Sequence, residues 1–168
     1  MSSVSSTQAT QTTSAFGTID RVAELARDPL ILIGRLMLGW LFLSSGWGKL
    51  MNYDGAVASL VSRGVPDWLA HLAPVAEFLG GTLLIVGLAT RYAAVLVLVF
   101  TVIATFISHR YWLSDPAQVT SQYINFWKNV CIMGGTLLLF VTGSGRIAVD
   151  ALLQRRGRNL TDAPPSGH

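Results

Sequence analysis

The chain has 168 residues, of which 51% are hydrophobic and 12% charged, with a formal net charge of +3; an average soluble domain carries about 25% charged residues. This composition excludes an ordinary soluble domain and describes an integral membrane protein. No basic, aromatic-interleaved patch accompanies the small positive excess, so no nucleic-acid partner is expected.

Residues 1–28 are rich in Ser and Thr and lack both an apolar core segment and a small-residue cleavage site. They are expected to form a disordered tail without a cleaved signal peptide. Within it, residues 19–27 mix apolar and charged positions in a pattern that suits a short helix, either solvated or lying on the membrane surface.

Four apolar stretches follow, at 29–48, 74–89, 92–108 and 129–145. At 1.5 Å per residue each approaches the roughly 30 Å of a hydrocarbon core once flanking residues are counted. The sequence therefore predicts an all-α fold over residues 29–150: a bundle of four transmembrane helices with up-down topology. Residues 151–168, basic and then Pro-, Ser- and Gly-containing, are expected to form a second disordered tail.

Helical spacing gives each span one distinctive face. On the first it joins Arg35, Gly39, Phe42, Gly46 and Lys49; on the second, Glu77, Gly80, Gly81, Leu84 and Gly87. Thr101, Thr105, Ser108 and His109 mark the third, and Asn125, Lys128, Asn129, Ile132 and Thr136 the fourth. An ionised side chain is costly in hydrocarbon and faces a partner or a wet cavity, which makes each such residue a functional-site candidate. The glycine pairs at 80–81 and 134–135 are read as close-packing surfaces between helices.

The first connection contains Gly64-Val65-Pro66 followed by Trp68 and Leu69, which suits a segment dipping back to the bilayer surface as a lid. The third holds Tyr111, Trp112, Tyr123, Phe126 and Trp127, read as an interfacial aromatic belt or, alternatively, a rim on which a quinone stacks. Arginines and lysines near the span ends number seven on the side of the termini (21, 27, 91, 146, 155, 156 and 158) and three on the other (49, 63 and 110). Both termini are thus expected in the cytoplasm. With that topology Lys49, Glu77, His109, Asn125, Lys128 and Asn129 converge on one outer layer. Arg35 lies roughly 21 Å away along its helix, towards the cytoplasmic side, where it can snorkel or hold a headgroup.

Two states of Glu77 are compatible with the sequence, one paired with Lys49 or Lys128 and one neutral. Histidine exchanges protons near neutral pH, so His109 is a candidate proton carrier. The layer reads either as a ligand site or as a buried ion-pair lock without chemistry. Cys131 is the sole cysteine and suits an apolar filler; His71, His109 and His168 form no ligand pair, and no zinc or haem site is expected. No Gly-x-Ser-x-Gly elbow, phosphate loop or dinucleotide fingerprint occurs.

Arg35 with Gly39, Phe42-Leu-Ser-Ser-Gly-Trp-Gly-Lys49, Gly64-Val-Pro66, Glu77-Phe-Leu-Gly-Gly81, Gly87-Leu-Ala-Thr-Arg91 and Lys128-Asn129 ahead of Gly134-Gly135 together resemble the DoxX family of small four-helix membrane proteins. The resemblance spans residues 30–150 and carries the family's polar pattern onto Arg35, Lys49, Glu77, Lys128 and Asn129. It implies a bacterial inner-membrane bundle related to the small membrane subunit of thiosulfate:quinone oxidoreductase.

Two functions follow as expectations. In one the chain is a membrane subunit of an oxidoreductase that binds quinone, with Glu77 and His109 moving protons and Arg35, Lys49, Asn125, Lys128 and Asn129 holding the cofactor or an anionic sulfur substrate. Its partners would then be the lipid membrane, a redox or sulfurtransferase-type protein that brings the redox centre, and a second copy in a homo-oligomer. In the other it is a non-catalytic scaffold whose charge cluster locks the helices. A permease is the weaker alternative, because four short helices offer little cavity without oligomerisation.

Overall fold

Two glycine contacts set the frame. Gly39 of the first span lies against Gly81 and Ile85 of the second, and Gly46 lies against the backbone of Glu77 and Phe78. Such residues let two backbones approach closely where the hydrophobic effect gives no preference for protein over lipid. The numbers run in opposite senses, so the two helices are antiparallel.

The computed structural model describes residues 3–161, with side chains over 17–156 and at 158. Its elements are α1 (Ser3–Met51), α2 (Tyr53–Ser62), α3 (Asp67–Val86), α4 (Thr90–Ser108), a 3-10 turn (Tyr111–Leu113), α5 (Val119–Thr142) and α6 (Val149–Thr161). Four helical stretches are long and apolar enough to cross a membrane: Gly17–Met51, Asp67–Val86, Thr90–Leu113 and Val119–Thr142. The expected all-α, four-span, multi-pass architecture is present. Links from Thr105 to Asn129 and from Arg91 to Val141 show α4 and α5 antiparallel as well. The lateral order is α1, α3, α4, α5, and α5 closes back on α1 only loosely. Phe42, Leu84, Ala93, Val97 and Leu139 form the core between them.

Several boundaries differ from the sequence expectation. Helix α1 begins at Ser3, inside the segment read as a disordered tail, and continues through Pro29. Its stretch Asp20–Arg27 is rich in Ala, Leu, Glu and Arg, strong helix formers that let the span propagate outward. The C-terminal segment likewise forms α6 to Thr161, where a tail was expected; the rest of that tail, 162–168, and residues 1–2 lie outside the described residues. In the first connection residues 53–62 form the helix α2, and the expected turn at Gly64-Val65-Pro66 follows it. The helix is held by a small cluster of Val57, Val65 and Ala70 with Leu60 and Ile107 around it. The turn at Gly64 has φ +87, as its glycine allows, and α3 starts at Asp67, seven residues before the apolar stretch.

The glycine pairs also divide. A Cβ on Gly80 would lie 2.8 Å from Val97 and one on Gly81 2.7 Å from the Gly39 carbonyl, whereas Gly134 faces open space and Gly135 only brushes Leu38. Close packing thus explains the first pair and not the second. Gly81→Ala should lower unfolding stability in detergent by about 1–3 kcal/mol, as overpacking against backbone does, while Gly134→Ala should leave the melting temperature unchanged or slightly raised.

Candidate functional site

At the end of the bundle away from the chain termini, the loose seam between α1 and α5 leaves a cavity of about 210 Å³. At about 30 Å³ per water, that is room for roughly seven waters or a single small ring. Its apolar wall is Leu41, Phe42, Phe100 and Ile132; its polar lining includes Ser45, Lys49, Glu77, His109, Lys128 and Asn129. Five of the seven residues singled out from the sequence therefore meet around one space, drawn from α1, α3, α5 and the end of α4. Helical phase brings them there. The buried Arg35, Gly39, Phe42 and Gly46 put Lys49 on the inner face of α1, and the buried Gly80, Gly81 and Leu84 do the same for Glu77 on α3.

Glu77 forms an ion pair with Lys49. The Ser45 hydroxyl donates to the other carboxylate oxygen at 2.8 Å, and Lys49 Nζ also donates to Ser45 Oγ at 3.3 Å. Glu77 is 5% exposed and Lys49 30%, so the pair stands at the inner wall with the amine nearer the open space. Of the two states the sequence allowed, the geometry is the paired one, with Lys49. Ser45 was missed, although its i−4 spacing from Lys49 was the available signal.

Lys128 does not join this pair. It is exposed, and its amine donates to Asn125 Oδ1 at 2.9 Å, one turn back on α5. Asn125 accordingly steadies Lys128 and does not line the cavity. Asn129 is buried and donates from Nδ2 to Thr105 Oγ1 at 3.0 Å, while the Thr105 hydroxyl donates to the Thr101 carbonyl at 2.5 Å. His109 Nδ1 lies 2.9 Å from Gln122 Oε1. With the glutamine oxygen accepting, Nδ1 carries the hydrogen and the neutral ring keeps Nε2 as its acceptor. Gln122 gave no signal of its own in the sequence.

Arg35 sits at the opposite end, as the depth argument expects, but it neither reaches the interface nor opens on the cavity. It is 2% exposed and donates to the carbonyls of Ser144 at 2.7 Å, Ile147 at 2.9 Å and Ile85 at 3.5 Å. Gly87, at φ +71, leaves the space that its guanidinium occupies. Beside it the Asp150 carboxylate accepts from the amides of Ala89 at 2.7 Å and Thr90 at 2.9 Å, and the Asp150 amide donates to the Gly87 carbonyl at 2.9 Å. Together they pin the α3–α4 turn, whose Ala89 holds an unfavourable φ of +50.

Comparison with known proteins adds to this geometry. The DoxX family model matches residues 30–110. The inner membrane protein YphA of Escherichia coli (strain K12) is 39% identical over 127 residues, covering 74% of this chain and 91% of its own length. The inner membrane protein YqjF of the same strain is 34% identical over 129 residues, covering 77% and 95%. CatD of Bacillus subtilis (strain 168), whose name assigns it provisionally as an oxidoreductase, is 27% identical over 128 residues, covering 76% and 90%. No solved structure matches the chain.

Burial alone would push the Asp150 carboxyl up; the Thr90 and Ala89 amides and the Arg35 charge outweigh it and hold the group below its ordinary 3.8. A carboxyl lowered by folding stabilises the protein above the unfolded value of about 3.9 and loses that contribution as pH falls through the folded value. Asp150→Asn should therefore cost about 1 kcal/mol at pH 7, the size of a helix cap. Its stability should also fall less steeply than that of the wild type below pH 4 in denaturation series.

Proposed function

The chain belongs to the DoxX family of membrane proteins, and from that premise we propose that it serves in the bacterial inner membrane as the membrane subunit or accessory of a redox system, with the cavity as the seat of a quinone headgroup. The observation that carries the reading is the convergence of Lys49, Glu77, His109, Lys128 and Asn129 on one small cavity within the bundle. Residues needed only to pair helices would close on one another. Here the Lys49–Glu77 pair closes, while Asn129 and His109, each with one bond between α4 and α5, still line the remaining space together with Lys128.

The lining fits a quinone ring in size and chemistry. Phe42, Phe100 and Ile132 supply apolar and aromatic wall, and a few polar groups fix orientation, the usual make-up of a small-molecule site. A bound quinone supplies the capacity to accept two electrons with two protons. The residues of this chain then have separate tasks. Asn129 and the Lys49 amine offer hydrogen bonds to ring oxygens; His109, neutral with its hydrogen on Nδ1, takes up a proton at Nε2 and passes it on from there; Glu77 holds Lys49 in place. Electrons enter from a protein partner of redox or sulfurtransferase type. The name of CatD supports a redox setting. The distribution of arginines favours a topology with both termini cytoplasmic, which turns the cavity end towards the periplasm.

A second reading is a non-catalytic scaffold. It is favoured by the closure of Glu77 upon both Lys49 and Ser45.

Decylubiquinone titrated into protein in nanodiscs, followed by tryptophan fluorescence and by extraction of co-purified quinone, separates the two. Wild type should bind, and His109→Phe and Asn129→Ala should each weaken binding about tenfold, the equivalent of one lost hydrogen bond of roughly 1.4 kcal/mol. Absence of binding to well-folded wild type would leave the scaffold in its place.

A further inference from the structure

A second recess, of about 820 Å³, opens at the end of the bundle near the termini. Its size falls within the roughly 300–1,000 Å³ of small-molecule sites. It is walled by the outward part of α1, the start of α4 and the end of α5. Two spans terminate at its level, at Thr90 and Thr142, so it stands at the depth of lipid headgroups. The exposed Tyr92 on its rim is a residue type that settles at the membrane–water interface. Leu138 and Val141, also exposed, share a face of α5 with Thr142 and lead from the recess along the outside of the bundle.

The lining carries three arginines and three carboxylates, so its charges balance: Arg27, Arg91 and Arg146 against Glu24, Asp28 and Asp150. Half of them are engaged. Arg146 pairs with Asp28, which also accepts from the Arg146 amide at 3.0 Å, and Asp150 caps the α3–α4 turn. The other three are exposed and stand ready. Glu24 and Arg27 form no hydrogen bond or ion pair among the described residues, and Arg91 donates only to the Val141 carbonyl, at 3.5 Å. The Thr90 hydroxyl, which lines the same recess, is buried without a partner, the mark of a polar group that the chain alone does not satisfy.

The free groups are ordered by depth. A Cβ on Gly143, at φ +74, would lie 3.5 Å from the Arg91 Nε, which places that guanidinium beside the turn that ends α5. On α1, Glu24, Arg27 and Ile31 recur at three- and four-residue spacing on the wall of the recess, and Glu24 lies roughly 4.5 Å further out than Arg27 along the axis. The free cations thus stand nearer the membrane and the free carboxylate beyond them. Guanidinium groups take a phosphate through charge-assisted, two-oxygen hydrogen bonds, and a carboxylate takes a primary ammonium in the same way. A purely anionic ligand would leave Glu24 facing a like charge.

We propose that this recess binds the headgroup of phosphatidylethanolamine, with the phosphate on Arg91 and Arg27, the amine on Glu24 and the acyl chains along Leu138 and Val141. Basic pockets between spans are recurrent sites for lipid headgroups, and here the carboxylate selects the zwitterion. The site is separate from the cavity at the opposite end and does not depend on what that cavity binds.

The test uses the full chain, delipidated in maltoside micelles in phosphate-free buffer, with phosphatidylethanolamine, phosphatidylglycerol or phosphatidylcholine of identical acyl chains titrated in. Binding is read by thermal shift and by native mass spectrometry. Phosphatidylethanolamine should stabilise the wild type saturably and bind about tenfold more tightly than either other lipid, since the glycerol head carries no amine and the choline head no N–H. Arg27→Gln and Arg91→Gln should each weaken phosphatidylethanolamine and phosphatidylglycerol alike, about tenfold, whereas Glu24→Gln should weaken only phosphatidylethanolamine by that factor. All three variants should melt as the wild type does without lipid and keep its decylubiquinone binding, so that this site and the quinone reading stand or fall separately. Glycerophosphoethanolamine, the same head without acyl chains, should not displace the lipid; displacement at equal concentration would assign the recess to a soluble compound and overturn the lipid assignment. Equal binding of the three lipids by the wild type, or a preference for phosphatidylethanolamine that survives Glu24→Gln, overturns the proposal.

Discussion

A carboxylate within a membrane bundle is the constraint around which this protein is arranged. Glu77 is nearly sealed between α1 and α3, and an ionised group there is tolerated only with a partner and full hydrogen bonding. Lys49 and Ser45 provide both. They reach it because Gly46 lets α1 come against the backbone of Glu77 and Phe78. Close packing and ion pairing are therefore one interaction: the glycines set the approach, and the approach sets the pair.

The two ends of the bundle use buried charge differently. At the end near the termini the two terminal nitrogens of Arg35 donate to carbonyls from α3 and from the segment after α5, and Asp150 accepts from amides of the α3–α4 turn. Among the fully buried side-chain nitrogen and oxygen atoms of the described residues, only the Arg35 Nε and the Thr90 hydroxyl lack a partner. The result is a rigid knot. At the other end Lys49 and Glu77 satisfy each other, but α5 packs only loosely on α1, and His109, Lys128 and Asn129 line the cavity between them. A fold knotted at one end and parted at the other provides a fixed pocket without a flexible scaffold. That is a sound basis for binding, because the first contacts are already organised before a ligand arrives.

Much of this was legible in the residues themselves. Apolar length gave the four spans, and three- and four-residue spacing placed Arg35, Gly39, Phe42, Gly46 and Lys49 on one buried face. The depth argument brought Lys49, Glu77, His109, Lys128 and Asn129 to one level. What was not legible depends on contacts between distant parts of the chain or on side-chain reach. Asp150 caps amides about sixty residues before it, which no local spacing encodes. Lys128 turns back to Asn125 instead of crossing to Glu77, a choice of rotamer. Helix α2 has only ten residues and owes its stability to docking on Val65 and Ala70, so propensity alone is a poor guide. Gly134 and Gly80 look alike in sequence, and only the neighbouring helix tells them apart.

The central claim is that the Lys49–Glu77 pair both locks α1 to α3 and forms the inner wall of a ligand site. A double-mutant cycle with Lys49→Met, Glu77→Leu and the two together, read by unfolding stability and by decylubiquinone binding in the same nanodiscs, tests it most directly. Lys49→Met should cost about 3–5 kcal/mol by leaving the buried Glu77 charge unpaired, Glu77→Leu should cost less because Lys49 is partly exposed, and the double variant should recover to within about 1 kcal/mol of the wild type. Ligand binding should stay lost in the recovered double variant. Single variants as stable as the wild type, or a double variant that binds as the wild type does, would contradict the account.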